Sequence, residues 1–199
     1  MIEKNLFDVK LTLELPNYSL YELGYILVDL NQLFVFCDLL EEGYVGLAVD
    51  KFHNQYLSRR SKLLQEKGSR YEITSISNGS IIMQITGLGS LAVIVLRLIL
   101  DCVKESNKLR GEIIKFNIEV DEEKYHELKR IIDEVKEYEA EFNMEILISI
   151  LVSKGFLIRA YDHDLYKIEG IFERYAKRIE SVMHIPRYKK RSHTSQRRG

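Results

Sequence analysis

The residues that could do chemistry are few and scattered. The histidines are His53, His126, His163, His184 and His193. A zinc-type site needs two or more ligands gathered on one face, typically at i,i+4 on a helix. His53 and His126 have no His, Asp or Glu partner at a convincing zinc-like spacing. Asp162-His163-Asp164 is the densest local cluster, but three consecutive residues cannot all aim at one ion from a helix or a strand. Its expected role is to cap a helix through Asp162 or Asp164. The reading therefore contains no metal site and no cofactor.

Nucleophiles fare no better. There is no Gly-x-Ser-x-Gly elbow. Cys37 and Cys102, the only cysteines, sit in the apolar runs FVFCDLL and LILDCVK, where a thiol behaves as a small buried hydrophobe. Arg187 and His193 have the side-chain types of a phosphodiester-cleaving pair, yet no helix follows to hold the geometry that such chemistry needs. The acidic residues, such as Glu122, Glu123, Glu134, Glu137 and Glu139, occupy solvent-facing helical positions beside Lys or Arg. The expectation is no catalytic residue and no enzyme.

Two features could bind rather than react. Gly87, Gly89 and Ser90 lie between a strand and a helix, the right context for an anion at a helix N-terminus. They lack the third glycine of a dinucleotide fingerprint and the Gly-Lys-Ser/Thr of a P-loop, so a tight strand-to-helix turn is the alternative. The tail Arg187–Gly199 carries six basic residues, Arg187, Lys189, Lys190, Arg191, Arg197 and Arg198, and no acidic ones. The remaining 23 basic residues face 30 acidic ones, so charge is segregated, as for an arm that meets phosphate or an acidic surface.

The elements that must position these residues follow from periodicity. Phe7 to Leu15 alternates apolar and polar residues, which predicts a half-buried strand. Ser19 and Glu22 form a capping box at the head of a helix over 20–41, whose buried stripe is Leu20, Leu23, Ile26, Leu27, Leu30, Leu33, Phe34 and Cys37. Residues 43–48 read as a turn or short strand, and 50–65 as a weakly amphipathic helix. Strands at 70–77 and 80–86 flank Asn78-Gly79, a pair suited to a two-residue hairpin turn because both residues tolerate positive φ. A second alternating strand covers 112–120, after which helices are expected at 122–141, 144–152 and 164–183. Phe156 to Tyr161 reads as a short strand.

The helix after the hairpin, 88–108, is apolar on most of its circumference. Its uninterrupted run is shorter than the roughly 20 residues needed to span a bilayer, and Arg97, Asp101, Lys104 and Lys108 make one polar stripe. A membrane role is disfavoured. Leu88, Leu91, Ala92, Val95 and Leu98 are instead expected to be covered by core or by a partner, so they are candidate interface residues.

Composition sets the class. A chain of 199 residues, 46% hydrophobic and 30% charged, with two prolines and a net charge of −1, is globular and has no global pull toward nucleic acid. Two cysteines without a framework spacing and no leader-like start point to the cytoplasm. The predicted architecture is α+β, a small, mostly antiparallel sheet covered by helices. Residues 1–111 would form the core, 112–185 a further strand and helices in the same domain or as an arm, and 186–199 a disordered basic tail.

The unit strand, helix, hairpin (EITSISNGSIIMQI) and apolar helix over 7–108 resembles small bacterial and phage-linked proteins, some encoded beside antiviral effectors as accessory components. That resemblance implies a binding component and no catalytic residue. The expected function is thus a non-enzymatic component that acts through self-association or a protein partner. Nucleic-acid binding through the tail and membrane association through 88–100 are the alternatives.

Overall fold

The computed structural model describes residues 6–14, 20–53, 61–67, 71–77, 80–109, 115–120, 122–138, 144–157, 160 and 162–183. It is α+β, with four antiparallel strands and seven helices among these residues. The chain runs β1 (Leu6–Glu14), α1 (Leu20–Glu41), α2 (Val45–Phe52), α3 (Lys62–Lys67), β2 (Tyr71–Ser77), β3 (Ser80–Gly89) and α4 (Ser90–Leu109). It continues with β4 (Lys115–Val120), α5 (Glu122–Tyr138), α6 (Met144–Ser153) and α7 (Asp162–Met183).

The sheet order is β2-β3-β1-β4. β1 is central, with Leu11 opposite both Met83 and Ile118. Its alternation has the predicted consequence: Phe7, Val9, Leu11 and Leu13 are buried, while Asp8 and Lys10 face water. Burying every second residue fixes the register, because a slip by one would turn the whole apolar set outward. Ser77 pairs with Ser80. The Asn78-Gly79 pair between them lies outside the described residues, as do Ser19 of the capping box, Asp121 and the tail from 184.

One face of the sheet carries the helices. α4 packs on β1, β3 and β4 and also touches α1, α5 and α7, which makes it the central helix. Leu91 through Leu96 are buried without interruption. α1 packs beside it, α7 closes over α1 and α2, and α5 and α6 complete the outer layer. β4 and α7 pack directly on the preceding elements, through the β1–β4 ladder and the α1–α7 contact.

Four expectations change. Residues 45–48, expected as turn or short strand, are the first half of a helix, α2. α1 ends in a Schellman motif, with Gly43 at φ 79°, its N–H on the Leu40 carbonyl at 3.0 Å and the Tyr44 N–H on Leu39 at 2.8 Å. This left-handed glycine redirects the chain at once into α2. The helix expected at 50–65 is not continuous, since α2 ends at Phe52, α3 starts at Lys62, and 54–60 lie outside the described residues. β3 runs three residues past its predicted end, so Gly87 and Gly89 belong to the strand. Gly87, at φ 65°, bulges opposite Asp8, whose carboxylate accepts its N–H at 3.2 Å. Finally, Phe156 and Leu157, expected to open a short strand, form a turn after a second Schellman ending at Gly155 (φ 84°), while 158, 159 and 161 lie outside the described residues.

Candidate functional site

The first half of α1 is where the core is incompletely covered. Residues 21, 24, 25 and 28 share a helix face by the i,i+3 and i,i+4 rule. Tyr21 is 71% exposed and Tyr25 is exposed as well. Their rings meet edge-on at 4.7 Å between centroids, and the two hydroxyls lie 2.7 Å apart. That contact makes the Tyr21 hydroxyl harder to ionise, chiefly through the hydrogen bond with Tyr25.

Beside this pair runs a groove of about 340 Å³ between α1 and α3, lined by Gly24, Leu27, Val28, Asn31, Leu64 and Gln65. The sequence builds it simply. Gly24 lacks a side chain in mid-helix, and a Cβ placed there would meet nothing within 4 Å. α3 is held along α1 by buried Leu64 and by the Lys67–Glu42 ion pair at 2.6 Å. Among the described residues, no charged side chain lines the groove. The Asn31 carboxamide is half-buried, and its Oδ1 is shielded from water with no hydrogen-bond partner among the described residues. An unmet buried acceptor costs about 1–3 kcal/mol.

The opposite side of α1 is closed by polar contacts from α7. Asp29 is fully buried, and Arg178 meets its carboxylate with two nitrogens, each at 3.0 Å. Burial pushes the Asp29 carboxyl above its ordinary range, and Arg178 opposes that shift. Tyr175 donates its hydroxyl to Gln32 at 3.0 Å in the interior. Arg174 donates to the carbonyls of Phe52 and His53, placing a cation at the C-terminus of α2. These bonds fix α7 in register on α1 and α2.

The predicted anion site has an internal occupant. The Glu41 carboxylate reaches the head of α4, where Oε1 accepts the Leu91 N–H at 2.5 Å. Its other oxygen lies only 1.7 Å from where a Cβ on Gly89 would stand. The anion at this N-terminus is thus supplied by the chain itself, and Gly89 makes room for it; Ser90 is buried at the first position of the helix.

The interface candidates are also accounted for within the chain. Leu88, Leu91, Ala92, Val95 and Leu98 are each at most 2% exposed. Of the two covers expected for them, core or partner, the chain itself supplies the core: the sheet, α1, α5 and α7 pack on α4. The polar stripe serves packing: Asp101 bonds Arg97 at 3.2 Å and Lys136 of α5 at 2.5 Å. The basic residues Arg187, Lys189, Lys190, Arg191, Arg197 and Arg198 lie outside the described residues.

Among the described residues, no group of three or more His, Cys, Asp and Glu is gathered to hold a metal. α7 begins at Asp162, so Asp164 sits in its first turn, 3.3 Å from the exposed His163. Cys37 is buried, and burial together with the nearby Glu41 and Asp38 charges pushes its thiol well up.

Among the described residues α1, from Tyr21 to Glu41, is long and apolar enough to cross a bilayer. Most of it is buried inside the fold, as a core helix of this composition is. Sequence reasoning assigned α1 to the core and overlooked its open N-terminal face. The available signal was Tyr21, Gly24, Tyr25 and Val28 at helical spacing. Comparison of the chain with protein-family models, with curated proteins and with solved structures finds no match.

Proposed function

We propose that this chain is a non-enzymatic, cytoplasmic binding component that works by joining a protein partner or a second copy of itself. The observation that carries the reading is the exposed Tyr21–Tyr25 pair beside the α1–α3 groove. Tyrosine suits such a role because a large, rigid, amphipathic ring gains contact area at little conformational cost. Elsewhere the apolar residues of α1 and α4 are spent on the chain's own core, so the surface moves from α4 to α1. The resemblance of 7–108 to accessory components encoded beside antiviral effectors fits an assembly partner of this kind.

The test is affinity purification of the full chain from its native host, with light scattering on the purified protein at low micromolar concentration. Wild type is expected to bring down a stoichiometric partner or to run as an oligomer, and Tyr21→Ser/Tyr25→Ser to lose that association while melting as wild type does. A monomer without a partner, or an association indifferent to both substitutions, refutes the proposal.

A second reading, nucleic-acid association, is favoured by the segregated charge of 187–199. Affinity would then fall steeply with salt, since each neutralised phosphate releases a counterion, and deletion of 187–199 would abolish it.

A further inference from the structure

We propose that the outer edge of β4 is a self-association surface, on which β4 of a second copy pairs antiparallel about a two-fold axis at Asn117. In the sheet order β2-β3-β1-β4 the terminal strands are β2 and β4, and among the described residues no strand pairs with the outer side of either. The two edges are built differently. The β2–β3 ladder is irregular between Ile73 and Ser75, and a bulge of that kind turns an edge away from a neighbour. β4 instead pairs with β1 in unbroken register over all 6 of its residues and contains neither proline nor glycine. It is the edge whose row of backbone donors and acceptors can template another strand.

The occupant follows from the order of residue types in Lys115-Phe116-Asn117-Ile118-Glu119. A lysine on an edge strand ordinarily discourages pairing. Here an antiparallel partner centred on Asn117 sets Lys115 of each copy opposite Glu119 of the other, twice over by symmetry. It also sets Phe116 opposite Ile118, an aromatic against a β-branched residue, which is a favourable cross-strand pair. A two-fold contact uses the same patch on both copies, so that patch must be its own complement. The charge order of this strand meets that condition.

The register inside the chain extends the same pattern. β1 places Lys10 opposite Glu119 and Glu14 opposite Lys115, and Lys10 Nζ meets the Glu119 carboxylate at 3.0 Å. Across the middle of the joined sheet a row of positions then reads Lys10, Glu119, Lys115, Glu14, alternating in sign at every step. The helix-covered face adds a second reason. Leu11 is fully buried, whereas Ile118 beside it on β4 is only partly covered. A second β4 would shield the remainder, with Phe116 of the second copy next in the row.

The experiment is sedimentation and light scattering of the full chain and of two variants, Lys115→Glu and Glu119→Lys. Wild type is expected as a dimer of twice 23.4 kDa. Each variant alone sets two like-charge pairs about the axis and should weaken the dimer about tenfold. Mixed in equal amounts, the two variants should form a one-to-one heterodimer near wild-type strength, because an all-acidic edge then faces an all-basic one. Glu119→Lys gives up only the solvent-exposed pair with Lys10, so it should melt close to wild type.

Should either variant fail to fold, amide hydrogen exchange on wild type decides: the outward amides of β4 should lose protection on dilution, while those bonded to β1 keep it. The proposal is overturned by a wild-type monomer at high micromolar concentration, by a dimer indifferent to both variants, or by a mixture that does not restore it. Exchange in β4 that does not depend on concentration also overturns it. The inference goes beyond the tyrosine surface on α1 and shares no residue with it. It gives the contact between copies to β4 and leaves Tyr21 and Tyr25 to a different protein. Tyr21→Ser/Tyr25→Ser should therefore lose that captured protein and keep the dimer, so the two readings fail separately.

Discussion

Replacing Gly89 by alanine adds one methyl group to a strand, yet the structure makes it an attack on the cap of a helix. The new Cβ would lie 1.7 Å from Glu41 Oε2 and 2.7 Å from its Cδ. Carbon and oxygen need more than 3 Å, so the carboxylate must retreat by about 2 Å. The 2.5 Å bond from the Leu91 N–H then opens beyond hydrogen-bonding distance. A hydrogen bond to a charged group contributes about 1.5–3 kcal/mol, and a carboxylate at a helix N-terminus roughly 0.3–1 kcal/mol more. The smaller unfolded-state entropy of alanine returns about 0.4–1 kcal/mol. Gly89→Ala should therefore destabilise by about 1–3 kcal/mol. Glu41→Ala should cost a similar amount through loss of the same cap. In the Glu41→Ala background nothing remains to collide, so Gly89→Ala should be close to neutral, within about 1 kcal/mol. Urea unfolding of the four proteins at pH 7, followed by far-UV circular dichroism, yields the coupling energy, expected near 2 kcal/mol. Additive costs, within about 0.5 kcal/mol, would refute the idea that Gly89 is there to admit Glu41.

Three further outcomes follow from named contacts. Leu91→Asp should prevent folding rather than release a soluble monomer, because the carboxylate would enter a closed core at a cost above about 4 kcal/mol; a folded, soluble Leu91→Asp protein would return α4 to the surface. Gly43→Ala and Gly155→Ala should each cost about 1 kcal/mol, since both glycines hold positive φ in Schellman endings, and an unchanged urea midpoint would contradict the geometry. The Asp29 carboxyl is raised by burial, so the native state holds its proton more tightly than the unfolded chain does. Its contribution is therefore most favourable below its unfolded range, about pH 3.9, and declines as pH rises through the raised folded value. The cost of Asp29→Asn should accordingly be smaller at pH 7 than at pH 4, and the opposite slope in urea titrations would reverse the assigned cause.

The elements were legible wherever one periodicity dominated. β1 declared itself because Phe7, Val9, Leu11 and Leu13 are separated by polar residues, and one buried face leaves a single register. α1 matched its predicted 20–41 span because apolar spacing and the glycine at 43 agree about where it stops. The start of α2, 45–48, was misread for a local reason. VGLAVDKF is short, with two β-branched residues and a glycine, and carries little helical signal by itself. What makes it helical is context, namely burial of Val45, Ala48, Val49 and Phe52 and the Arg174 guanidinium on its last carbonyls, which comes from 122 residues downstream. No local window contains that arginine.

The site was harder to read than the fold, and the two apolar helices show why. Hydrophobicity tells how much surface must leave water but not what will cover it. α4 is apolar enough to ask for a partner, and here the partners are a sheet and three helices of its own chain. α1 carries a comparable apolar run, but its cover is uneven. α7 seals one side with Asp29–Arg178 and Gln32–Tyr175, whereas the short α3 reaches the other side through Leu64 and Gln65 and leaves Gly24 open. Such unevenness is a property of helix lengths and docking positions, which no spacing rule encodes. A mid-helix glycine with tyrosines three residues before it and one after is the trace it leaves in the sequence. That trace acquires meaning only once α3 is seen to stop short of Gly24, which is why the proposed surface on α1 stood in plain view while the greasier α4 drew the inference.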